Sequence, residues 1–149
     1  MTRILIDADG CPVVDLIIKI AKEFQLNVTI FCDTAHQIER EGADTVMVSK
    51  GSDAVDFVLV NRLQKGDIVV TQDYGLAAMV LAKSGYAIDQ NGRNYTSGNI
   101  EQLLYTRHLG QKIRQAGGRT KGPKKRSKEA NLEFAEAFRR LCKEILTKS

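Results

Sequence analysis

The sequence predicts an α/β fold, a single three-layer domain around a central, mostly parallel sheet. Three observations carry that expectation. Short β-branched runs alternate with longer segments of helical periodicity along the chain. Clusters of Gly, Asn, Asp and Ser separate them. The two most continuous apolar runs, Ile4-Leu5-Ile6 and Ile68-Val69-Val70, read as adjacent, parallel, central strands buried on both faces.

The first run ends in Asp7-Ala8-Asp9-Gly10, and Pro12 is placed at the first position of a helix, where its missing N–H has no partner to lose. That helix runs over 13–25, with Leu16, Ile17, Ile20, Ala21 and Phe24 on one face and Lys19, Lys22 and Glu23 on the other. A second strand spans 27–32. Residues 33–42 are polar and suit a short helical turn, and a third strand covers 45–48. Ser49-Lys50-Gly51-Ser52-Asp53 opens a helix over 54–64 so apolar that packing on two sides is expected. Gly66 supplies its left-handed C-cap. The fourth strand, 68–71, runs into Gln72-Asp73-Tyr74-Gly75. A helix over 76–83 sets Leu76, Met79 and Val80 on one face, and a fifth strand covers 86–89. Residues 90–98 read as a loop. A helix over 100–115 turns Leu103, Leu104, Leu109 and Ile113 inward. Residues 116–127 show no periodicity, and 128–148 form an amphipathic helix with Phe134, Phe138, Leu141, Cys142 and Ile145 on one stripe. The loop and this last helix read as an appendage to one domain spanning 1–149.

Hydrophobic residues make up 43% and charged residues 27% of the 149, the balance of a water-soluble protein. No apolar run approaches the roughly 20 residues that span a membrane. The chain enters a strand without a cleavable leader, so a cytoplasmic location is expected. Cys11, Cys32 and Cys142 are odd in number and widely spaced, which indicates neither a disulfide framework nor a zinc site. Cys11 reads as a small buried residue before it reads as a reactive thiolate.

The formal net charge of +4 is unevenly distributed. From Gln102 to Lys128 there is no Asp or Glu but nine cations: Arg107, Lys112, Arg114, Arg119, Lys121, Lys124, Lys125, Arg126 and Lys128. Removing those nine from 22 leaves 13 basic residues against 18 acidic ones, a net of −5. An acidic body with one detached basic segment suits a phosphate backbone, and the Gly residues at 117, 118 and 122 let backbone N–H groups approach anions. Tyr95 and Tyr105 are candidates to stack bases.

Acids recur where strands end. Asp7 and Asp9 follow strand one, Asp53 and Asp56 open the helix after strand three, and Asp73 follows strand four. In parallel sheets the carboxyl edge is where ligands bind. Like charges crowded there are costly unless a proton or cation offsets them. Hard cations such as Mg²⁺ or Mn²⁺ take oxygen ligands and keep waters, so a few carboxylates suffice. Each acid also has an ordinary reading as a helix cap.

Asp-Ala-Asp-Gly-Cys-Pro-Val (7–13), Gly-Ser-Asp-Ala-Val-Asp (51–56), Asp-Ile-Val-Val-Thr-Gln-Asp-Tyr-Gly-Leu-Ala (67–77) and Gly-Gly-Arg-Thr-Lys-Gly-Pro (117–123) resemble the bacterial YaiI/YqxD family over essentially the whole chain. That family in turn resembles PIN-like nuclease domains, whose acids gather at one sheet edge around Mg²⁺ or Mn²⁺. The resemblance implies Asp7, Asp53 or Asp56, and Asp73 as ligands. It names no substrate. Many PIN-like sites take their second acid from a Glu on a mid-chain helix, a place that here holds only Asp53 and Asp56.

Three readings follow. In the first, a metal-dependent ribonuclease, Asp7, Asp53, Asp56 and Asp73 hold the metal, Asp9 is a ligand or orients a water, and the basic segment holds RNA. The second is a phosphatase like the haloacid dehalogenases, with Asp7 as nucleophile, though no downstream Lys and paired-acid motif accompanies it. The third is an RNA-binding module without catalysis. The sequence leaves oligomeric state open.

Overall fold

A computed structural model describes residues 2–49, 54–115 and 126–148. Its elements are β1 (Ile4–Asp7), α1 (Val14–Glu23), β2 (Val28–Asp33), β3 (Asp44–Val48), α2 (Ala54–Arg62), β4 (Ile68–Val70), α3 (Tyr74–Ala82), β5 (Tyr86–Ile88), β6 (Asn94–Tyr95), α4 (Ser97–Gln115) and α5 (Lys128–Lys148). The six strands form one sheet in the order β3-β2-β1-β4-β5-β6. The first five are parallel, and β6 pairs antiparallel with β5. As expected, β1 and β4 are neighbours, with Ile6 beside Val70.

Alternation along the strands feeds two cores. Ile4, Ile6, Ile30, Ile68 and Val70 face α1 and α5, while Leu5, Phe31, Val69 and Ala87 face Leu59 of α2, Leu76 and Val80 of α3, and Ile100 of α4. The apolar residues of β1 and β4 are therefore all buried, as a covered parallel sheet requires. At the amino end of β4, Asp67 is fully buried and accepts hydrogen bonds from Arg3 N (3.1 Å), Arg3 Nη2 (2.7 Å) and Gln64 N (2.9 Å).

Several expectations are corrected. Helix α5 is a structural layer and not an appendage: Phe134, Phe138 and Cys142 are fully buried in the core shared with α1. Pro12 sits in the turn before α1, which begins at Val14. Residues 34–43 form turns and no helix. Helix α2 buries Leu59, but its Phe57 is 67% exposed, so its apolar residues do not all find a packing surface among the described residues. Met79 of α3 and Leu109 of α4 also face outward. The expected loop over 90–98 contains β6. Gly92, at φ +91°, makes the turn into it, and a side chain there would meet Glu133 O and Ala137 Cβ of α5.

Candidate active site at the carboxyl edge of the sheet

Parallel pairing of β1 with β4 brings Asp7 alongside Thr71, the residue that follows Val70. The Thr71 hydroxyl donates to Asp7 Oδ2 at 2.7 Å, and its oxygen accepts from Asp73 N at 3.0 Å. One hydroxyl thus links the two strand ends. Asp73 is also the N-cap of α3: its Oδ1 accepts from Gly75 N (2.9 Å) and Leu76 N (3.2 Å). The loops are joined a second time, where Gln72 Nε2 donates to Gly10 O at 3.1 Å. Gly10 adopts φ +68°, a conformation that turns the chain sharply after Asp9. Below this layer the Tyr95 hydroxyl donates to Thr71 O at 3.2 Å.

Burial holds the Asp7 carboxyl above its ordinary range; the Thr71 hydrogen bond opposes that shift, and the charges of Asp73 and Asp9 add to it. Cys11 is held up by burial and by Asp7, against a backbone hydrogen bond and the opposing charge of Arg126, and stays a thiol near neutral pH. Asp7, Cys11, Val70, Thr71, Gln72 and Gln90 line one narrow crevice.

The expected site residues divide as follows. Asp7 and Asp73 are brought together, and Asp9 is exposed beside them, close enough for its charge to reach Asp7. Asp56 lies half-buried in the first turn of α2, and Asp53 lies outside the described residues. Among the described residues, no group of three His, Cys, Asp or Glu side chains is placed to hold a metal ion. Helix α4 carries positions 107, 112 and 114, whose side chains, like Arg119, Lys121, Lys124 and Lys125, lie outside the described residues. Arg126 is corrected. Its guanidinium donates to Asn131 Oδ1 (2.6 Å), Asn91 Oδ1 (2.9 Å) and Gln90 O (2.6 Å), so it is occupied by the protein itself. Tyr95 is corrected too, because it is buried and cannot stack a base; Tyr105 is exposed.

Sequence reasoning missed three residues here. Thr71 had a signal, a hydroxyl two residues before Asp73 at the end of an apolar strand. Asp33 closes β2 at the same edge, where it accepts from Ala35 N and His36 N and pairs with His36 Nδ1 at 3.0 Å. Its carboxyl is held below the ordinary range, chiefly by His36. Gln90 had no signal, being a neutral amide in an expected loop.

Residues 5–144 match the model of the family described as Uncharacterized BCR, YaiI/YqxD. A UPF0178 protein of Exiguobacterium sibiricum is 59% identical over 142 residues, covering 95% of this chain and 97% of that protein. One from Clostridium acetobutylicum is 46% identical over 141 residues, covering 93% and 95%. Among solved structures, a variant of Rae1 (YacP) from Bacillus subtilis aligns over the whole of both chains with 12% identity and a TM-score of 0.43. The family match spans both acidic strand ends and the basic segment between α4 and α5, and the chain belongs to the YaiI/YqxD family.

Proposed function

We propose that this protein is a PIN-like nuclease that hydrolyses RNA phosphodiester bonds with the help of Mg²⁺ or Mn²⁺. The observation that carries the reading is the pairing of Asp7 and Asp73 across β1 and β4, joined through Thr71, with Asp7 held above its ordinary pKa partly by the charge of Asp73. The donor set fits a hard cation. The carboxylates and the amide oxygen of Gln90 are oxygen donors, Cys11 stays protonated, and Gln90 Oε1 is buried with no partner.

Asp7 and Asp73 would hold the ion, with Asp53 or Asp56 contributing from the start of α2. A bound divalent cation supplies positive charge that acidifies a water and stabilises a leaving phosphate oxygen. The chain's own residues do the rest. Thr71 fixes the Asp7 carboxylate in one orientation through its 2.7 Å hydrogen bond. The backbone N–H groups of Gly75 and Leu76 fix that of Asp73. Asp9, exposed beside them, would orient a water. Arg107, Lys112, Arg114, Arg119, Lys121, Lys124 and Lys125 would hold the phosphate backbone without reading sequence.

The test is cleavage of single-stranded RNA by wild type, Asp7→Asn and Asp73→Asn, with Mg²⁺, with Mn²⁺ and with chelator. Cleavage should require the cation and be lost in both folded variants. Cleavage that survives chelation, or persists in both variants, would contradict the reading.

A further inference from the structure

Gln90 Oε1 is, among the described residues, the buried side-chain polar atom that has no hydrogen-bond partner. It lines the same crevice as Asp7 and Thr71. Native proteins keep few such atoms unpaired without a use for them. Its backbone is also held more firmly than a surface turn needs. Gln90 O accepts from Arg126 Nη2 at 2.6 Å, and Arg126 binds Asn91 and Asn131 with its remaining nitrogens. Asp89 Oδ1 accepts from Asn91 N at 2.8 Å and Arg93 N at 2.9 Å, closing the turn from within. Gly92 lays the turn against α5 so closely that a Cβ would come 3.1 Å from Glu133 O. The segment that presents Gln90 to the crevice is therefore fixed from both sides.

We infer that Gln90 supplies a neutral oxygen ligand to the cation held by Asp7 and Asp73, and that Arg126 is the positioning residue that aims it. This rests on the reading of the site as a cation-dependent nuclease centre and adds a ligand that is not an acid. The chemistry favours an amide at this place. The charges of Asp73 and Asp9 already bear on Asp7, and a neutral oxygen completes a hard cation's shell without adding a further like charge. The role of Arg126 follows from its contacts: its guanidinium is engaged by α5 and the β5–β6 turn, and it acts through Gln90.

The experiment is titration of the full chain with Mn²⁺, in the absence of RNA, followed by calorimetry and by the shift in thermal unfolding. Gln90→Leu should weaken Mn²⁺ binding about tenfold or more, and Arg126→Met about tenfold through the outer shell. Gln90→Glu should bind Mn²⁺ more tightly than wild type. Without metal, Gln90→Leu should unfold no earlier than wild type, because it removes an unpaired buried acceptor. If Asp7→Asn abolishes Mn²⁺ binding while Gln90→Leu binds as well as wild type or better, the inference is overturned and the nuclease reading stands. If Gln90→Leu does not fold, Gln90→Glu decides: binding no tighter than wild type overturns the inference. If wild type takes up no Mn²⁺, both fall together.

Discussion

Asp7 Oδ2 accepts the Thr71 hydroxyl proton, yet burial outweighs that bond and, with the neighbouring charges of Asp73 and Asp9, keeps the carboxyl above its ordinary range. A carboxyl whose folded pKa is raised binds more protons folded than unfolded. Its contribution therefore destabilises as pH rises from the unfolded value near 3.8 through the folded one, and the loss is complete above that. Asp7→Asn keeps an oxygen for Thr71 and removes the charge. In metal-free buffer it should match wild type below pH 3.8 and be the more heat-stable of the two at neutral pH; a variant less stable at pH 7 would make Asp7 a structural acid. Asp73 behaves differently, because it caps α3. Asp73→Ala should cost about 1 kcal/mol in chemical denaturation, whereas Asp73→Asn should cost little and still lose the cation. Equal stability of Ala and Asn would remove the cap from the account. Both aspartates were legible in the sequence, since each ends an apolar strand run at a turn. Gln90 was not. Its significance lies in the burial of one atom, which depends on Arg126 and Gly92 folding the β5–β6 turn onto α5, and no local pattern encodes that.

At the scale of elements, β4 carries acids at both ends with opposite uses. Asp73 follows its carboxyl end, whereas Asp67 at its amino end is fully buried and satisfied by Arg3 and Gln64. Asp67→Ala should destabilise the protein by about 2–3 kcal/mol, below the roughly 3–5 kcal/mol of a fully buried broken pair because Arg3 remains a third exposed to solvent. It should leave Mn²⁺ affinity of the folded protein unchanged. A variant with altered affinity and full stability would show that the two ends of β4 are coupled. The sequence exposed α1 and α5 well, because each carries a clean apolar stripe against a charged face. It misjudged α2, whose apolar residues run around the helix, so periodicity could not say that Phe57 is left in solvent. It missed β6 because a two-residue strand is too short to show alternation.

Across the whole molecule, a body of net −5 stands against nine cations at 107–128. On the proposed function, the acids at one sheet edge would hold a cation, and the basic residues other than Arg126 would hold phosphates. Lys124→Ala with Lys125→Ala should weaken RNA binding alike for unrelated sequences and lower its salt slope by about one for each phosphate no longer neutralised. An unchanged slope would place RNA elsewhere. Arg126→Met should act instead on the cation, since its guanidinium is bound to Gln90, Asn91 and Asn131. On the proposed function, one divalent ion would join the ends of β1 and β4. Crystals grown with Mn²⁺ and measured at the manganese absorption edge test it most directly. An anomalous peak is expected about 2.1 Å from carboxylate oxygens of both Asp7 and Asp73. Clear density for both side chains with no peak between them, at Mn²⁺ concentrations that support RNA cleavage, would contradict it.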